Sequence, residues 1–319
     1  MSNFTYTVKK KDVGLSIKEL VRMNFTFSSR LLSKLKKENL ILCDGESVPL
    51  WKVPESGSVI SVTLPEEKSD FPAENIPISV VFEDEHLIII DKQPGVVVHP
   101  TKGKPCHTIA NGLMNKMLRD GENYKIRFVN RLDMNTSGLL IIAKNSHAQD
   151  ELTKQMKTGY VKKKYKAIVT SPPSEDFGTV DLPIGRPDPN EVERWILPEE
   201  LGGYPSVTHY KVLERYDGYG LLELSLETGR THQIRVHLSS IGCPILGDHL
   251  YCHGDPFEYR KNNWDSRVEI VSSLIDRQAL HAYYLSFLHP VSCQLMEFVS
   301  PLPDDMTSVI EKLKKKNCV

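Results

Sequence analysis

Residues 129–145 read VNRLDMNTSGLLIIAKN. Leu139, Leu140, Ile141 and Ile142 follow one another without polar alternation, the pattern of a wholly buried strand that extends to Ala143. Directly in front stands a polar run, Asn135-Thr136-Ser137-Gly138, and in front of that Arg131 and Asp133. A carboxylate at the mouth of a buried strand is unfavourable unless it is hydrogen-bonded or paired. A nearby guanidinium would lower its pKa by roughly 1 to 3 units and keep it ionised. Asp133 therefore needs a cation from elsewhere in the chain, unless Asp133, Asn135, Thr136 and Ser137 form only a turn or helix-cap cluster.

Around this stretch, residues 79 onward alternate between strands and amphipathic helices in mixed order. VVFEDEHLIIIDKQPG reads as a hairpin about Asp84-Glu85. From Ser146, the residues Ala148, Leu152 and Met156 recur every fourth position until Gly159 stops a helix. In VKKKYKAIV, the residues Val161, Lys163, Tyr165, Ala167 and Val169 share one face of a strand. Lys162, Lys164, Lys166 and Ile168 share the other. Tyr165 thus sits in the more apolar row, where a plain core aromatic is the simpler interpretation.

LLELSLETGRTHQIRVHLSSIGCP repeats the logic, with Leu222, Leu224 and Leu226 set against Glu223, Ser225 and Glu227. A turn at Thr228-Gly229 leads to a helix with Ile234, Leu238 and Ile241 on one side, ended by Gly242 and Pro244. Arg235, one turn into that helix, is the candidate cation for Asp133. Arg230 and His232 would crowd the same region with positive charge, and helix starts attract phosphate. The competing interpretation is an exposed amphipathic helix with a solvated polar face. These patterns predict an α+β protein.

The front of the chain forms a smaller unit. In SSRLLSKLKKE, Ser28 or Ser29 caps a helix with Leu31, Leu32 and Leu35 inward and Arg30, Lys34 and Lys37 outward. Asp44-Gly45 marks a hairpin, and Gly57 a turn before another strand, so the predicted order is helix, hairpin, strand. LPEEKSDFPAENIP, with three prolines among four acids and few apolar residues to pack, reads as a connector. The expected division is a small domain at 1–70, a linker at 71–78 and a main domain at 79–319.

Composition excludes several classes. Forty Lys and Arg against 41 Asp and Glu leave a net charge of −1, so any affinity for nucleic acid must come from local clustering. Six cysteines without a C-x-x-C pair fit reduced thiols better than disulfides or a zinc site. His232, His237, His249 and His253 do not have the H-E-x-x-H spacing. Signatures of nucleotide binding and of serine hydrolases are absent. No signal peptide or membrane-length apolar run is visible, which predicts a soluble cytoplasmic protein, and the lack of a long exposed apolar stripe favours a monomer.

The 129–145 stretch resembles the catalytic motif of the RluA-type RNA pseudouridine synthases, usually H-R-L-D-x-x-T-S-G-L-L followed by an apolar pair and A-K. Four further stretches agree with that family in the expected order: VVFEDEHLIIIDKQPGVVVHP, KKKYKAIV, ETGRTHQIRVHLSSIGCPILGD and RQALHAYYLSFLHP. The resemblance covers residues 80–300. The front unit is similar to the small ribosomal-protein-type RNA-binding domain, with its Arg-rich pattern thinned. Asn130 stands where the family usually has His.

The resemblance implies a catalytic domain built on a mixed, mostly antiparallel sheet, with a small α/β RNA-binding domain in front. It implies that Asp133 is the nucleophile or base acting on a uridine, that Arg235 pairs with it and that Tyr165 stacks on the target base. Arg131 would hold the motif loop or the RNA backbone, and Asn130, Thr136, Ser137, Arg230 and His232 would surround the substrate. Extruding the uridine from structured RNA costs on the order of a few kcal/mol. Phosphate contacts from Arg30, Lys34, Lys37, Lys162, Lys164 and Lys166 would offset that. No cofactor or metal is implied. Large-subunit ribosomal RNA is the favoured partner and transfer RNA the other candidate. Two rival functions are a catalytically idle RNA-binding or ribosome-assembly protein and a glycosidase acting on free nucleosides, which would need a second catalytic carboxylate.

Overall fold

The computed structural model of the 319-residue chain describes residues 3–101, 103–188, 190–251 and 274–316. Cys252, His253 and Cys318 lie outside the described residues; Cys43, Cys106, Cys243 and Cys293 are free thiols.

The front unit runs β1 (Asn3–Thr7), α1 (Ile17–Phe25), α2 (Ser29–Lys37), β2 (Ile41–Cys43), β3 (Glu46–Ser47) and β4 (Val59–Thr63). Ser28 caps α2, its hydroxyl accepting from the Leu31 N–H, and Leu31, Leu32 and Leu35 are buried as the 3.6-residue period predicts. The hairpin at Asp44-Gly45 and the turn at Gly57 are also present. Two elements were not anticipated. β1 pairs with β4, and α1 begins in a capping box in which Glu19 accepts from the Ser16 N–H at 2.8 Å. The apolar core of this unit draws only on residues between Phe4 and Leu64.

The connector is not a free tether. Residues 64–78 lack regular structure, yet Phe71 and Ile78 pack on the core of the main sheet. Ser69 accepts from the Ile126 N–H, and Asn111 donates to the Pro72 carbonyl at 2.8 Å. Two apolar side chains and a few backbone groups suffice to dock this connector.

The remaining elements are β5 (Ser79–Glu83), β6 (Leu87–Lys92), α3 (Ile109–Asp120), β7 (Arg127–Phe128), β8 (Ser137–Ala143), α4 (Ser146–Lys157), β9 (Lys162–Thr170), β10 (Phe177–Asp181), β11 (Ile184–Gly185), β12 (Trp195–Ile196), β13 (Val207–Tyr216), β14 (Tyr219–Leu226), α5 (Gln233–Ser240), β15 (Leu280–Leu288), β16 (Leu295–Val299) and α6 (Asp304–Lys316). The large sheet has the order β10-β13-β14-β9-β15-β8-β6-β5, with β16 on β15 and β7 on β8. Among these pairings only β8 with β15 is parallel, so the sheet is mixed and mostly antiparallel. Among the described residues, no helix is long and apolar enough to cross a membrane.

Every residue of β8 is buried. Leu140 and Ile142 join one core with Ile109 and Leu113 of α3, while Leu139 and Ile141 join another with Leu152 of α4. Burial on both faces explains why the run carries no polar alternation. Gly138 has φ +112°, and a side chain there would collide with the Ala282 carbonyl where β8 meets β15.

Candidate active site

The loop before β8 is held by hydrogen bonds to several of its backbone and side-chain groups. The Asn130 side chain accepts from the Ile141 N–H at 2.8 Å and is buried, so it braces β8. Thr136 N–H donates to the Asp133 carbonyl. The Thr136 hydroxyl accepts from Gln278 at 3.2 Å, and the Ser137 hydroxyl lies 3.0 Å from His281 Nδ1. Of Asn130, Thr136 and Ser137, expected around the substrate, Thr136 borders the pocket, and the side chains of all three are engaged in these hydrogen bonds.

Two cations clamp the loop from beneath, and neither was singled out in the sequence. Lys92 is fully buried and donates to the carbonyls of Gln93, Val96 and Met134 at 2.8–2.9 Å. Burial pulls its pKa down to about 7, and the charge of Asp133 opposes that. Three carbonyl acceptors match the three N–H bonds of an ammonium, whereas a neutral amine has only two to offer. Arg277 donates to the Asn135 carbonyl at 3.1 Å and is itself held by Asp305 through two bonds, at 2.6 and 2.9 Å. Lys92 had a legible signal, being a charge closing the apolar run of β6. Arg277 had none.

On this base the Asp133 side chain faces a small pocket, lined also by Arg131, Tyr165, Arg230, His232 and Arg235. Arg235 Nη1 donates to Asp133 Oδ2 at 3.1 Å. Its Nε and Nη2 hold Asp248 at 2.7 and 2.9 Å, and its guanidinium lies 5.0 Å from the Tyr251 ring centre. Asp248, 1% exposed, also accepts from the backbone of Leu250 and Tyr251. Burial works against the Arg235 charge, but Asp248 and then Asp133 outweigh it and raise its pKa above the ordinary range. The cation demanded by Asp133 is therefore present, with a second carboxylate behind it. The exposed-helix interpretation of this segment fails: residues 233 to 239 are all buried. Ile241 is the exception to its predicted stripe, 37% exposed at the helix end.

His232 does not add positive charge. Burial lowers its pKa to about 4, so it is neutral at pH 7. One ring nitrogen lies 2.8 Å from the Tyr251 hydroxyl and the other 3.9 Å from Asp133 Oδ2. Tyr165 is buried opposite Leu224 of β14, and burial followed by the Asp133 charge raises its phenol pKa, so the ring is neutral too. Arg131 and Arg230 are the exposed rim.

Strand alternation puts Lys162 and Lys164 on the face opposite Tyr165, where Lys164 pairs with Glu223 at 3.1 Å. Lys166 on that same face lies over the Tyr283 ring. Lys163 shares the Tyr165 face instead, and burial depresses its pKa. Lys37 is exposed on α2, while Arg30 and Lys34 border a separate cleft that also includes Arg131. His237 is bonded to Thr208 and to the Leu182 carbonyl, away from His232's partners. Among the described residues the group spaced like metal ligands is Glu74, Cys106 and His107, none of which lines the pocket.

Comparison with known proteins agrees with this architecture. Residues 86–240 match the family described as RNA pseudouridylate synthase. A Bacillus subtilis (strain 168) protein, uncharacterized RNA pseudouridine synthase YjbO, is 38% identical over 287 residues, 89% of this chain and 94% of its own. Ribosomal large subunit pseudouridine synthase D of Vibrio cholerae (serotype O1) is 36% identical over 98% of this chain and 95% of its own. Human RNA pseudouridylate synthase domain containing 4 shares the fold at a TM-score of 0.59 and 25% identity, over 74% of this chain and 93% of its own. The chain belongs to the RNA pseudouridylate synthase family, in its RluA-type branch, and is an isomerase that converts uridine to pseudouridine in RNA.

Proposed function

We propose that Asp133 is the catalytic carboxylate and that the substrate is large-subunit ribosomal RNA. The carrying observation is the contact of Arg235 with Asp133 at 3.1 Å while Asp248 holds the same guanidinium from behind. A carboxylate so fixed presents a defined oxygen to a bound nucleoside. Asp133 Oδ1 accepts no hydrogen bond among the described residues and is the free atom.

The reaction breaks the bond from C1′ of ribose to N1 of uracil, turns the ring and joins C1′ to C5, with the C5 proton lost and a proton gained at N1. Asp133 serves either by attack on C1′ or by removing a sugar proton; both begin from the same oxygen. Arg235 stabilises the carboxylate between the two halves of the reaction. Tyr165, held neutral, acts as a wall against which uracil stacks and as a hydroxyl donor or acceptor, and a phenolate base is disfavoured. The pocket is only about 60 Å³, so a uracil ring needs its lining to open, and the exposed Arg131 and Arg230 are the rim side chains free to move.

Ribosomal RNA is supported by relatives named ribosomal large subunit pseudouridine synthase D that match nearly the full length, front unit included. Pseudouridine mapping of total RNA, from cells with the intact gene, without it and with Asp133→Asn, tests both parts. Sites lost from large-subunit RNA in both altered strains support the reading. Sites lost only from transfer RNA overturn the substrate, and an Asp133→Asn strain that retains every site overturns the catalytic role.

A further inference from the structure

A nucleotide turned into the Asp133 pocket must leave its neighbours outside, because about 60 Å³ holds no more than part of a base. Sharing Arg131 and Leu132 with that pocket as lining is a much larger cleft of about 870 Å³, between α2 of the front unit and the main sheet. That volume is within the range of roughly 300–1,000 Å³ that encloses whole small molecules. Its walls carry five cations, Arg30, Lys34, Lys125, Arg127 and Arg131, against the carboxylates Glu67 and Asp150. Glu67 is already taken by Arg127, with Lys34 only at 3.7 Å. Arg30 and Arg131 are exposed and make no ion pair or side-chain hydrogen bond among the described residues.

The cleft also has an aromatic floor. His99 is exposed, and its ring is flanked by Phe71 at 5.3 Å and Phe128 at 6.1 Å between ring centres, both steeply tilted to it. A ring wedged in this way has a fixed orientation and an open side, the requirement for stacking a base without reading its sequence. Arg30 and Lys34 stand four residues apart on α2 and so share one helix face. We infer that this cleft holds the RNA strand leading to the target uridine, with phosphates on Arg30, Lys34 and Arg131 and one base against His99. The inference rests on the RNA-modifying function proposed above. It means that the front unit grips the very strand that is modified, adding affinity without touching the reacting atoms.

The test uses the full-length protein and unmodified large-subunit ribosomal RNA transcribed in vitro, with binding measured from 50 to 300 mM KCl and pseudouridine formation measured in single turnover. Arg30→Ala with Lys34→Ala, both on the cleft-lining side of α2, is expected to weaken binding about tenfold near 150 mM salt. The salt slope should fall by about 0.7 per single-strand phosphate, roughly 1.4 for the pair, with the plateau rate at saturating enzyme unchanged. His99→Ala is expected to weaken binding about fivefold or more with the slope unchanged. Wild-type affinity and slope in both variants would overturn the inference, as would a loss confined to the plateau rate. If the wild-type protein forms no pseudouridine on this RNA, the substrate reading fails, while the affinities and slopes still decide the cleft.

Discussion

The Asp133 pocket and the cleft beside α2 meet at Arg131 and are built on opposite principles. In the pocket almost every charge is answered from inside the protein: Asp133 by Arg235, Arg235 by Asp248, and the loop carbonyls by Lys92 and Arg277. In the cleft, Arg30 and Arg131 are exposed and unanswered among the described residues. Chemistry needs groups whose orientation is settled before the substrate arrives, which requires burial and mutual pairing. Polyanion binding needs charges left free to release counterions when phosphates replace water. A uniform surface cannot serve both ends, and five cations against two carboxylates in the cleft, in a chain of net charge −1, make the basic groups a local arrangement.

Asp133→Asn should break the comparison most sharply. Pseudouridine formation is expected to fall by about 10⁴-fold or more, while RNA affinity stays within about tenfold, or roughly 1.4 kcal/mol. The fold should survive, because Asp248 still neutralises Arg235. Equal losses of binding and activity in a filter-binding and single-turnover comparison would remove Asp133 from the chemistry.

Asp248→Asn is the complementary change. It leaves a buried guanidinium with one partner in place of two, and destabilisation of about 3–5 kcal/mol is expected in urea titration. An unchanged midpoint would mean that the pocket is not pre-assembled as described.

Acid should act on the buried histidines. His232 and His147 are both held neutral by burial, with pKa values of about 4 against 6.5 for a free imidazole. The unfolded chain takes up their protons first, so stability is full above pH 6.5 and falls by a few kcal/mol as pH drops toward 4. His232→Gln should flatten that part of the curve relative to the wild type, and identical pH profiles would refute the assignment.

Lys162→Ala with Lys164→Ala should do least. These lysines lie on the far face of β9, and the half-buried Lys164–Glu223 pair contributes about 1 kcal/mol to stability. RNA affinity within about twofold of wild type is expected in the same filter-binding assay. A tenfold loss would place the RNA on that face instead of in the cleft.

The regular elements were legible wherever the pattern was local. Strand β9, helices α2 and α4, the Asp44-Gly45 hairpin and the buried run of β8 each announce themselves by a period or a turn residue within about ten positions. Strand β1 and helix α1 were not anticipated: five residues of β1 alternate weakly, while α1 carries both the Ser16-x-x-Glu19 capping box and an apolar period at Ile17, Leu20 and Val21. At the site, a misplaced charge was a good guide. Asp133 was visible as a carboxylate before an apolar run, and Lys92 closes β6 in the same manner.

What the sequence determined by itself was the family, through five ordered motifs, together with the elements set by side-chain periodicity and the need of Asp133 for a cation. Tertiary structure decided which cation answers and what stands behind it. Asp133 and Arg235 are separated by 102 positions, and Arg277 and the Asn135 carbonyl by 142. It also engaged the Asn130, Thr136 and Ser137 side chains in hydrogen bonds and made His232 neutral. Periodicity acts over a few residues of chain, whereas ionisation and hydrogen-bond satisfaction depend on burial and on whatever neighbours the packed sheet brings within about 3 Å.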